Sequence, residues 1–224
     1  MNKNQECPLF EQCPSHTNTC KTDFLEAGCD WYIWFKNLME RKMERTYEER
    51  KQLFGNMMLQ CGLSLIEIDE MNRRLDKLNY FIQPASISHH GNYKGGLFDH
   101  SYAVAKELVN LTEKLGLKWE RKFSPYVVGL FHDLCKCDSY IYNEYTQQWE
   151  YNTNSLMTGH GEASVILAQS IVNLNVEEVL CIRWHMGAYD NKENWDILGR
   201  AIECYPNVLY THTADMIASK IKGI

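Results

Sequence analysis

The chain has no apolar run approaching the length of a membrane span, and its first ten residues, MNKNQECPLF, hold no signal-peptide core. Both absences lead to the expectation of a cytoplasmic protein with no membrane partner. It also lacks an excess of positive charge: 23 Lys+Arg stand against 29 Asp+Glu, a formal net charge of -6. That balance argues against a surface built to coat long nucleic acid or an anionic bilayer, while leaving room for a local basic pocket. Internal repeats, low-complexity tracts and CxxC pairs are missing as well.

What is present is 224 residues, 45% hydrophobic and 23% charged, enough for one well-filled core with a small appendage. Nine cysteines are many for such a chain. Cys61, Cys135, Cys137, Cys181 and Cys204 are expected to be reduced thiols, because a secreted disulfide framework would be shorter and poorer in helical pattern. Cys7, Cys13, Cys20 and Cys29 cluster in residues 1–30, an N-terminal arm, with gaps of five, six and eight residues. Those gaps match no usual zinc-finger spacing. Four thiols in so short a polar segment could still close around a structural zinc ion or an iron–sulfur cluster. The alternative is an arm of loosely packed free thiols.

Residues 31–83 read as a helical extension. Its first half turns from aromatic to densely charged, with acids and bases alternating as on a solvated helix face. Its second half repeats apolar residues at helical spacing from Met57 to Leu78, interrupted near Gly62. A loop, PASISHHGNYKGG, follows over residues 84–96. Next, Leu97, His100, Val104, Leu108, Leu111 and Leu115 recur every three or four residues, and Gly116 marks the end of a helix. His100 therefore points inward with the leucines.

A second apolar helix is expected over residues 125–131, with Ser124 as N-cap and Pro125 in the first turn. It delivers His132 and Asp133 to its inner end, followed by Lys136. Residues 138–155 are rich in tyrosine and turn formers, and their partial alternation suggests a β-hairpin or ordered flap. His160 opens the next helix. Asn175 and Glu178 form the pattern of a capping box for another, which ends at His185. The last helix follows Pro206 and places Val208, His212, Asp215 and Ser219 on one face.

Helices thus deliver His100, His132, Asp133, His160, His185 and Asp215. Buried charge without a partner is costly, and a metal ion supplies the partner. Four imidazoles and two carboxylates suit a borderline first-row ion (Fe, Mn, Co, Ni or Zn) and make a poor all-oxygen site for Ca or Mg. Six protein ligands exceed one open catalytic centre but suit two ions sharing a bridging carboxylate.

With those residues in place, the region from about Pro84 to Lys220 resembles the HD superfamily of metal-dependent phosphohydrolases, which puts an HD domain over residues 84–224. Its ordered signature of a histidine, an HD pair and a distant aspartate falls on His100, His132, Asp133 and Asp215, and the two intervening histidines of two-metal members fall on His160 and His185. The flanking segments YKGGLFDHS, FHDLCK, GHGEAS, RWHMG and HTADMIAS are similar to those around the ligands in bacterial members, and the PASISHHGNYKGG lead-in is similar to HD domains of 3′–5′ exoribonuclease-type proteins. Cys135 departs from the pattern, standing where the HDxGK form has glycine. No OB domain precedes the region, which favours a small substrate over a processive RNA-degrading role.

The resemblance implies an all-α HD-domain helical bundle that hydrolyses a phosphomonoester or phosphodiester, nucleotide-like, through a hydroxide bridging two divalent ions. His100, His132, Asp133 and Asp215 would hold one ion. Asp133, His160 and His185 would hold the other, with Asp133 shared. Asp133 and Lys136 would then be catalytic, Lys136 as a phosphate clamp lying on nearly the same helix side as Asp133. Its other reading is a solvated lysine favoured by a helix C-terminus. His90 and Lys94 are either phosphate contacts or surface groups, and Arg183 is either a substrate contact or a surface residue. His212 is expected behind the ligands, or in the core. Relatives with the same six ligands include mixed-valent di-iron oxygenases, so oxygen chemistry is an alternative. A metal-stabilised nucleotide sensor without catalysis is another.

Overall fold

The computed structural model describes residues 45–88 and 91–224. Cys7, Cys13, Cys20 and Cys29, and His90, lie outside the described residues, as do positions 31–44 of the expected extension. Tyr47–Ile224 forms one compact unit.

This unit is predominantly helical. Helix α1 covers Tyr47–Gln60 and α2 Leu65–Lys77, the latter opened by a capping box in which Ser64 and Glu67 satisfy each other's backbone N–H. The long α3, Gly96–Leu115, ends where Gly116 adopts the left-handed conformation. A short α4, Ser124–Phe131, leads into a single turn, α5, Lys136–Ser139. Strands β1, Tyr140–Asn143, and β2, Gln148–Tyr151, pair antiparallel as a hairpin, with Tyr140 opposite Tyr151. Four helices complete the unit: α6, His160–Ile171; α7, Val176–Arg183; α8, Trp195–Cys204; and α9, Asn207–Met216. The chain continues from α9 as a π-helical turn, Ile217–Ile221.

The core joins the apolar faces of α1 and α2 to those of α3, α4 and α7. Phe54, Tyr80, Phe81, Phe98 and Phe131 pack within it, with ring centroids 5.3–6.4 Å apart. Phe131 immediately precedes His132, so the aromatic cluster anchors the backbone that presents the histidine. The Tyr80 hydroxyl adds a bond to the Leu130 carbonyl at 2.5 Å.

Two expectations are corrected by packing. Ser124 is the first residue of α4 rather than its cap, because its hydroxyl donates to the buried carboxylate of Glu178 at 2.7 Å. Arg50, in the stretch read as solvated, is buried and pairs with Asp99 at 2.8 Å, tying α1 to the start of α3. The Asn175–Glu178 capping box forms as read. Cys61, Cys135, Cys137, Cys181 and Cys204 are all free thiols. No helix among the described residues is long and apolar enough to cross a membrane.

Candidate metal centre

Two close helix crossings bring the histidines together. A methyl group on Gly129 of α4 would lie 2.3 Å from the backbone of Ala105 in α3. Only glycine allows this approach, which sets the C-terminal end of α4, with His132, beside His100. A methyl on Gly161 of α6 would likewise lie 2.0 Å from the Arg183 carbonyl oxygen at the end of α7. That crossing sets His160 beside His185.

Helix ends then orient the rings. His132 and His185 each follow a helix whose last carbonyls have no intrahelical donor. His132 Nδ1 donates to the Gly129 carbonyl at 2.8 Å, and His185 Nδ1 to the Ile182 carbonyl at 2.7 Å, the same three-residue offset used twice. His100 Nδ1 donates to the Ile224 oxygen at 2.8 Å. These oxygens can only accept, so the ring proton of each histidine is on Nδ1 and the neutral ring presents a bare lone pair at Nε2.

Those lone pairs converge on two carboxylates. His100 Nε2 lies 3.3 Å from His132 Nε2 and 3.2 Å from Asp215 Oδ1. Asp133 sits between two groups. Its Oδ2 is 4.0 Å from His100 Nε2 and 3.9 Å from His132 Nε2, while its Oδ1 is 2.9 Å from His160 Nε2 and 3.5 Å from His185 Nε2. One carboxylate thus turns an oxygen toward each half of the cluster.

Burial and charge act in opposition here. Burial pushes the His132 pKa down to about 4, against the pull of Asp133, so the ring is neutral at physiological pH. For His100 and His185 burial also works against protonation, but Asp215 and Asp133 respectively outweigh it and leave both pKa values raised. Burial alone would raise the Asp133 pKa; Lys136, then His160 and His185, overcome it and hold the carboxyl well below its usual range. Asp215 resists burial in the same way, chiefly through His100, and falls to about 2. Lys136, for its part, is held protonated by Asp133 despite burial.

The donors fit a metal. His185 Nε2 is buried and, among the described residues, has no hydrogen-bond partner; its approach to Asp133 Oδ1 lacks the geometry of one. An orphaned buried nitrogen is costly unless something else takes its lone pair. Ligand atoms of His100, His132 and Asp215 lie within 4.8 Å of one another, and so do those of Asp133, Cys135 and His160. These are two buried clusters of histidine, aspartate and cysteine side chains able to coordinate metal ions.

A cavity of about 210 Å³ borders the cluster, lined among others by Asp133, His160, Lys136, His212, Tyr189 and Lys220. Lys136 Nζ also stands 5.6 Å from the Tyr140 ring centre, which sets the ammonium over the aromatic face at the base of the hairpin. His212 holds its Nδ1 proton on the His185 carbonyl at 2.7 Å, so it braces a candidate ligand and faces the cavity as well.

Two further sequence candidates lie elsewhere. Arg183 bridges Glu162 and Asp190, each at 2.6 Å, and stacks on Trp184; it is not among the cavity-lining residues. Its charge ties α6 to the loop after α7. Lys94 is exposed in the turn before α3, also away from the cavity lining.

Sequence reasoning did not single out Lys220 or Cys135 as parts of the site. In a regular α-helix Lys220 would lie roughly 140° around from Asp215. The wider π-helical turn changes that rotation and brings it to the cavity. For Cys135 a signal existed, since a side chain replaced glycine beside a candidate ligand. Its backbone, φ -52 and ψ -28, is ordinary right-handed helix and tolerates one.

Comparison with family models, with curated proteins and with solved structures gives no match.

Proposed function

We propose that the chain is a metal-dependent phosphohydrolase of the HD type, acting on a small phosphomonoester or phosphodiester, nucleotide-like, with two divalent transition-metal ions as cofactors. The observation that carries this reading is the placement of Asp133: Oδ1 against His160 and His185, Oδ2 toward His100 and His132, with Lys136 in the same cavity. His100, His132, Asp133 and Asp215 would hold one ion, and Asp133, His160 and His185 the other. When bound, such a pair activates water at neutral pH and neutralises charge on a phosphoryl oxygen.

The chain's own residues supply the rest. The carbonyl oxygens of Gly129, Ile182 and Ile224 keep the three Nδ1 protons in place, so Nε2 is free to coordinate. Lys136 stays protonated beside Asp133 and offers its ammonium to a phosphate oxygen. Tyr140 limits where that ammonium can go. The cavity beside Asp133 and Lys136 gives a phosphate group a place to sit.

In the same reading, residues 84–224 are the HD domain, 31–83 a helical extension and 1–30 an arm whose four cysteines either hold a structural zinc ion or iron–sulfur cluster or are free thiols. Lys94, exposed in the loop before the first ligand helix, would meet the substrate only from the rim of the cavity.

A panel of p-nitrophenyl phosphoesters, nucleotides and cyclic dinucleotides, offered to protein loaded with Mn, Fe, Co, Ni or Zn, tests the proposal. Hydrolysis that persists without oxygen and disappears in D133N supports it. Turnover strictly dependent on oxygen would select the di-iron oxygenase. A nucleotide bound and recovered unchanged would select a sensor.

A further inference from the structure

We propose that Cys135 is a fourth protein ligand to the ion held by Asp133, His160 and His185, making that half of the centre a mixed imidazole, carboxylate and thiolate site. The inference rests on the metal centre proposed above and concerns what kind of ion it selects.

The backbone leaves Cys135 little freedom. Its N–H donates to Ser164 Oγ at 3.1 Å, and its carbonyl accepts from the Asp138 and Ser139 N–H groups and from Ser139 Oγ. So held, Sγ lies 3.9 Å from Asp133 Oδ1, the same oxygen that His160 and His185 approach. The distance is at the outer limit of a sulfur hydrogen bond, as is the second contact, 3.9 Å to the Asp133 carbonyl. Cys61 differs: its thiol donates to the Met57 carbonyl at 3.3 Å.

The spacing is close to that of ligands around one ion, with the sulfur about 0.3 Å beyond it. With metal–nitrogen and metal–oxygen bonds near 2.0–2.1 Å and metal–sulfur near 2.3 Å, neighbouring donors stand roughly 3–3.6 Å apart for angles between ninety degrees and tetrahedral. The separations from Asp133 Oδ1 are 2.9, 3.5 and 3.9 Å. Small side-chain rotations suffice to equalise them. The Nε2 of His185, buried, without a hydrogen-bond partner among the described residues and 3.5 Å from the same oxygen, independently suits a cation there.

Coordination breaks the S–H bond, forms a sulfur–metal bond and releases the proton to bulk water; no electron is transferred. The ion then faces one thiolate, one shared carboxylate and two neutral imidazoles. A soft donor in that set favours zinc or ferrous iron over manganese or magnesium. The half built from His100, His132 and Asp215 has no sulfur and keeps the harder preference.

Cobalt(II) added to the full chain reads the thiolate directly, through its sulfur-to-metal charge-transfer absorption in the near ultraviolet. The relevant signal is the difference between wild type and C135S, which cancels any cobalt held by the four early cysteines. A charge-transfer band present in that difference, with zinc affinity weakened at least roughly 10-fold in C135S and manganese affinity unchanged, is the expected result. Identical spectra and affinities for the two proteins would overturn it. Should C135S fail to fold, C135A and C135G carry the same comparison. Identical spectra together with undiminished hydrolysis would dismiss the thiolate and leave the hydrolase reading standing. A failure of cobalt to bind the Asp133 cluster in either protein would sink both.

Discussion

Nε2 of His100 faces Nε2 of His132 across 3.3 Å, while acceptor oxygens hold both ring protons on the far nitrogens. Two lone pairs at that distance repel unless a positive charge lies between or beside them. Burial keeps His132 neutral, so in the metal-free protein a proton on His100, drawn by Asp215, must relieve the contact. A divalent ion does so better and would displace that proton.

Metal removal should therefore destabilise the fold. An ion at 1,000 times its dissociation constant stabilises by about 4 kcal/mol. For a chain of this size that is roughly 8–16 °C in melting temperature. Calorimetry of chelated and metal-loaded protein checks this. The loaded wild type should melt higher, and D133N should show little change.

Gly161 should be indispensable to one half of the centre. G161A forces α6 off the Arg183 carbonyl, a clash costing about 1–3 kcal/mol. His160 and His185 then separate, while His100, His132 and Asp215 are untouched. Elemental analysis should find one ion fewer per chain in G161A than in wild type.

Lys136 should matter to turnover and not to metal loading. K136M keeps an unbranched side chain of similar length and removes the ammonium that stands over Tyr140. A loss of roughly 10²–10³ in kcat, as for other donors to a developing oxyanion, is expected. Metal content equal to wild type, measured on the same samples, separates this from damage to the ligands.

Asp190 offers a pH test away from the ligands. Despite partial burial, its bonds with Arg183, Asn194 and the Asn191 N–H lower its pKa. A carboxylate with a depressed folded pKa stabilises fully above its unfolded value, near 3.9, and loses that contribution as pH falls through the folded one. D190N should thus cost roughly 1–3 kcal/mol at pH 7. Urea titrations should show the gap between wild type and D190N closing as the pH drops below about 4.

Much of the frame is legible in the residues. Leucines every three or four positions and Gly116 announce α3, and Asn175 with Glu178 announces α7, because both signals are local. Ser124 misleads because its hydroxyl finds Glu178, 54 positions away, a better partner than its own helix end. Arg50 misleads for a similar reason, since alternating charge describes a solvated helix only until tertiary packing buries one member against Asp99. Around the site, each of the six ligand candidates can be placed within or at the end of a helix from local signals. Their meeting depends on Gly129 and Gly161, whose role is visible only once two helices touch. Lys220 reaches the cavity through a π-helical turn that α-helical periodicity does not anticipate.

Anomalous diffraction from crystals of the metal-loaded protein tests the centre most directly. Two peaks about 3.5–4 Å apart are expected, one beside His100, His132 and Asp215 and the other beside His160 and His185, each touching a different oxygen of Asp133. A single ion, or ions that leave Asp133 uncoordinated, would contradict it.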